Sequence, residues 1–106
     1  MSELADKFDA VSNSFIDIYK MLDGDDAQIE FAIHGLNELG YLRTSIKCME
    51  KSQMQDTEAA INALEELKGV EFCGLLLQYT KQLPKKQVTL MLNHCEALRL
   101  LITERM

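Results

Sequence analysis

Leu4, Phe8, Val11, Phe15, Ile18 and Leu22 follow one another at intervals of four, three, four, three and four residues. An α-helix advances about 100° per residue, so this spacing sets them all on one stripe, whereas a strand would scatter them over both its faces. The pattern predicts an amphipathic helix over about residues 2–22, with Ser2 placed to cap it and Asp23-Gly24 placed to end it. Punctuation against helix is scarce: 106 residues hold one proline and five glycines, and Leu, Met, Ala, Glu, Lys and Gln dominate.

Three more helices follow from the same argument. Asp25 with Gln28 three residues on is a variant of the capping box, and Ile29, Ala32, Ile33, Leu36, Leu39, Leu42, Ile46 and Met49 supply the apolar side of a helix over about 26–52. Gly35 and Gly40 within it each cost roughly 1 kcal/mol against alanine, so a bend or a close helix crossing is expected there. Asp56 caps a third helix, 56–83, that carries Ile61, Leu64, Leu67, Val70, Phe72, Cys73, Leu75, Leu76, Leu77, Tyr79 and Leu83. Pro84 stops that helix and opens a fourth, 84–105, in which Val88, Met91, Cys95, Leu98 and Ile102 are spaced 3-4-3-4. Short links between four helices predict an all-α, antiparallel four-helix bundle, one domain over 1–106. Gly35 and Gly40 recur thirty-four residues later as Gly69 and Gly74, the period of some helical repeats, but the tyrosine and alanine of such repeats are missing at the matching offsets.

The last two helices are more apolar than a bundle requires. A helix facing one core needs an apolar stripe somewhat over 100° wide. In the fourth helix the face of Val88, Met91, Leu92, Cys95, Leu98 and Ile102 is joined, on roughly the opposite side, by Leu90, Ala97 and Leu101. In the third the stripe Phe72, Leu76, Tyr79, Leu83 is accompanied by a second one, Val70, Cys73, Leu77. Either the chain covers both sides itself, or the second stripes meet another polypeptide. Every helix of a compact bundle has an outward face, so the expectation is an interface of Val70, Cys73, Leu77, Leu90, Ala97 and Leu101, met most simply by a homodimer.

The net charge of −6 is unevenly spread: residues 1–40 carry −7 and residues 41–106 carry +1. A duplex-binding protein gains affinity by neutralising phosphates, so nucleic acid is not an expected partner. Three cysteines, Cys48, Cys73 and Cys95, are odd in number and embedded in apolar helical patterns, which reads as reduced thiols in a cytoplasmic or nuclear protein rather than a disulfide framework. No basic stretch precedes an apolar run and no apolar run is long, so neither a signal peptide nor a membrane span is expected.

Asp23-Gly24-Asp25-Asp26 begins like a calcium loop, but Ala27, Gln28 and His34 stand where that loop needs an oxygen ligand, a glycine and a bidentate glutamate. His34, His94 and the cysteines lack the spacing that aims two donors at one ion, and Phe31 and Met91 stand where a di-iron bundle would place glutamates. No phosphate loop, nucleophile elbow or carboxylate pair is found, so no cofactor, no metal and no enzymatic activity are expected. Two charged surfaces remain: an acidic one at Asp23, Asp25, Asp26 and Glu30, and a basic ridge at Arg43, Lys47 and Lys51. The chain therefore reads as a non-catalytic interaction module, a small adaptor, regulator or chaperone that dimerises or binds a partner helix through its third and fourth helices. The alternative is an acidic inhibitor of immunity type that blocks a basic site on a target such as a nuclease.

Overall fold

A computed structural model describes residues 2–22, 26–51, 57–80 and 84–106. They form four α-helices: α1 (Glu3–Lys20), α2 (Asp26–Lys51), α3 (Thr57–Thr80) and α4 (Lys85–Glu104). The expected caps at Asp25 and Asp56, the stop at Asp23-Gly24 and Leu83 lie outside the described residues. Ser2 does cap α1, its hydroxyl accepting from the Ala5 amide at 3.0 Å.

The helices pack as a ring: α2 lies against α3 most extensively, α1 against α4, α3 against α4, and α1 against α2. The resulting bundle measures 44 × 22 × 20 Å, its length set by the longest helix, since 26 residues at about 1.5 Å each span most of it. Leu4, Phe8, Val11, Phe15 and Ile18 of α1 are buried in the shared core, as their spacing requires. From α4 the core takes Val88, Met91, Cys95, Leu98, Leu101 and Ile102.

Glycines decide how closely the helices approach. The ring of Phe15 occupies the space where Gly35 would carry a side chain, and the end of Met91 does the same at Gly74. Glu38 lies over Gly69, with its Cδ 2.9 Å from where a Cβ would sit. Gly40, by contrast, faces open space. Polar pairs register the helices further: Ser2 bonds Glu50, the Ser45 hydroxyl donates to Glu66 at 2.5 Å, and Arg43 lies over the Phe8 ring, 5.6 Å from its centroid. Arg99 bridges Glu71 on α3 and Glu96 on its own helix.

Gln28, expected to pair with Asp25 in a capping box, is fully buried, while Asp25 lies outside the described residues. Two expectations are corrected here. Ile33, read as part of the inward side of α2, is exposed, because Ala32, Gly35, Leu39, Leu42 and Ile46 define a face from which Ile33 is turned by well over 100°. The second concerns α3, where Val70, Cys73 and Leu77 face inward and Phe72 faces outward.

Candidate interaction surface

The inward seam of α3 is Ala60, Ala63, Leu67, Val70, Gly74 and Leu77, in unbroken 3-4-3-4-3 spacing. Val70 and Leu77 have no exposed surface and Cys73 is 7% exposed, so these three residues, assigned to an interface from the sequence, belong to the chain's own core. Leu101 joins them there. The physical reason is side-chain size. Ala59, Ala60, Ala63 and Gly74 let the partner helices come close, whereas a seam built on Phe72 would hold them apart.

The large residues consequently point outward. Phe72 is 61% exposed, Ile61 46% and Leu75 is exposed as well, although all three read as part of the core pattern. Together with Glu65 and Lys68, both exposed, they form the stripe 61, 65, 68, 72, 75 with its own 4-3-4-3 spacing. At about 100° per residue this stripe lies roughly opposite the inward seam. On α4 the expected interface residue Leu90 is 44% exposed, Ala97 is half-buried, and Leu100 stands exposed beside them.

Comparison of the chain with protein-family models, curated proteins and solved structures finds no match.

The charged surfaces differ in character. Asp26 and Glu30 are exposed at the start of α2, while Asp23 and Asp25 lie outside the described residues. Arg43, Lys47 and Lys51 are exposed, but the shallow groove that holds the first two, between α1 and α2, is lined also by Ala5, Phe8, Asp9, Ile46 and Glu50. Two carboxylates within that groove offset its cations, and Arg43 is engaged with the Phe8 ring, so the ridge is not an uninterrupted cationic track.

The thiols divide by burial. Burial pushes the Cys95 thiol up to about 12, and burial together with the nearby Glu38 carboxylate raises that of Cys73. A thiol held protonated is a poor nucleophile and a poor metal ligand. Cys48 is exposed, in a groove with Thr44, Ser45, Glu58, Ala59 and Asn62. Among the described residues no group of three or more His, Cys, Asp or Glu side chains is arranged to hold a metal ion, and no helix is long and apolar enough to cross a membrane.

Proposed function

We propose that this protein is a non-catalytic interaction module that docks a helix of another polypeptide on the outer face of α3. The observation that carries this reading is the stripe Ile61, Glu65, Lys68, Phe72, Leu75, apolar at its ends, exposed along its length, and spaced as a helix-packing seam is spaced. A solvent-facing phenylalanine in line with an isoleucine presents an aromatic of the kind enriched at interface cores. Leu90, Ala97 and Leu100 on α4 form a second, weaker outward patch. The buried, protonated thiols of Cys73 and Cys95 favour a binding module over a cysteine enzyme.

The scaffold in this reading is an antiparallel bundle. Along α1 and α2 the pairs Ser2 with Glu50, Phe8 with Arg43 and Phe15 with Gly35 run in opposite senses. The pairs Ser45 with Glu66 and Glu38 with Gly69 do so for α2 and α3, and Glu71 with Arg99 and Gly74 with Met91 for α3 and α4. Self-association is the simplest use of the α3 face.

A photo-activated crosslinker placed at position 72 tests the docking face in the source cell, with position 13 on the exposed side of α1 as control. The proposal expects protein crosslinks from position 72 and none above background from position 13. Equal yields at the two positions, or none at either, contradict it.

A further inference from the structure

The outer stripe of α3 is complementary to itself when one copy is turned end for end. We infer that two copies of this chain pair through antiparallel α3 helices about a twofold axis that passes between Glu66 and Leu67. An isologous contact sets residue i against residue j and j against i. With the axis at that point, Ile61 of one copy meets Phe72 of the other, and Glu65 meets Lys68, each twice. Apolar residues then face apolar residues at both ends of the seam, and opposite charges face each other at its centre. Glu58 comes across from Leu75 at the margin, where interfaces are polar and wet.

The reversed alternative is penalised. Parallel α3 helices would place Glu65 against Glu65 and Lys68 against Lys68, so the central charges select the orientation while Ile61 and Phe72 supply the apolar contact. Neither Glu65 nor Lys68 is engaged in an ion pair with a described residue of its own chain, so each is available. The patch on α4 has no opposed charge pair to fix such a register: a twofold axis at Cys95 sets Leu90 against Leu100 and Asn93 against Ala97.

This inference rests on the reading of the α3 face as a docking surface, and a charge-swap experiment separates the two. E65K and K68E are each made in the full chain, alone, as a double variant and as an equimolar mixture of the two single variants. Oligomeric state is followed by sedimentation velocity, with circular dichroism to verify helix content. Both positions are exposed, so folding should be retained. The inference expects a wild-type dimer, dissociation constants raised roughly tenfold or more in each single variant, and recovery both in the double variant and in the mixture, as a one-to-one heterodimer. A wild-type dimer that ignores the single reversals, or a mixture that fails to pair, overturns the twofold geometry and leaves the docking face standing if F72D still disperses the dimer. A wild type that stays monomeric overturns the pairing itself. The crosslinks from position 72 then decide the docking-face reading independently, by reporting a different polypeptide or nothing.

Discussion

At Gly35 the ring of Phe15 fills the space a side chain would take, and at Gly40 nothing approaches, so the same substitution has opposite signs at two positions five residues apart. Phe15 is fully buried and has no room to retreat. Gly35→Ala therefore meets overpacking of roughly 1–3 kcal/mol against a helix-propensity gain of about 1 kcal/mol, and is expected to lower the urea midpoint. Gly40→Ala keeps only the gain and is expected to stabilise by roughly 0.5–1 kcal/mol in the same titration. The cysteines offer a second residue-scale check. At mildly alkaline pH in native conditions a maleimide should modify Cys48 rapidly and leave Cys73 and Cys95 intact until the chain unfolds, which mass spectrometry of the labelled protein reads directly. A third concerns Glu66, whose pKa is raised, first by desolvation and then by Glu38 and Glu65, against the lowering effect of Ser45. Its unfolded carboxyl titrates near the ordinary 4.5 and its folded one higher, so folding takes up a proton between the two values. The stability this contributes is complete below about 4.5 and is lost as the pH rises through the folded value. Glu66→Gln, whose amide oxygen still accepts from Ser45, should flatten that part of the stability profile and raise stability slightly at neutral pH.

At the scale of the element, α1 was legible because its large residues and its seam coincide: Leu4, Phe8, Val11, Phe15 and Ile18 are buried, and Leu22, just beyond the helix, is partly buried against the same core. The four helices were legible from spacing and from Pro84 in the same way. In α3 the sequence offers Phe72, Leu76, Tyr79 and Leu83 as one stripe and Val70, Cys73 and Leu77 as another, and large residues alone favour the first over a seam that runs through Ala60, Ala63 and Gly74. Packing reverses that order, because small residues permit the close α2–α3 approach to which the Glu38 contact at Gly69 belongs. The usable signal was present in the alanines, which are helix formers in composition but core residues here. Substitutions should report the reversal plainly. Leu77→Ala removes a fully buried side chain and is expected to cost about 2–5 kcal/mol. Phe72→Ser, at dilutions where any assembly has dissociated, is expected to stay within about 0.5 kcal/mol of wild type. Chemical denaturation of the two variants side by side distinguishes them.

Across the whole molecule, the acidic outer side of α1 and the outward apolar line of α3 lie on helices that are not neighbours in the ring. The carboxylates of the first forty residues include Glu3, Asp6, Asp9 and Asp17 on the exposed side of α1, while the outward apolar line lies on α3, which meets α2 and α4. α3 itself carries Glu58, Glu65, Glu66 and Glu71 against Lys68, whereas the α1 carboxylates act weakly on the proposed contact, since at physiological ionic strength charges more than about 8 Å apart are largely screened. The chain thus combines a closed core with one helix whose outer line is built like a packing seam. The most direct test of this account is the assembly state and the unfolding midpoint of Phe72→Asp, measured on the same preparation by sedimentation and by urea denaturation. The account predicts a wild type that associates and a variant that is monomeric while its midpoint, taken under dissociating conditions, stays close to that of the wild type. A variant that associates as the wild type does, or one that loses the fold as a core substitution would, contradicts the outward placement and use of α3.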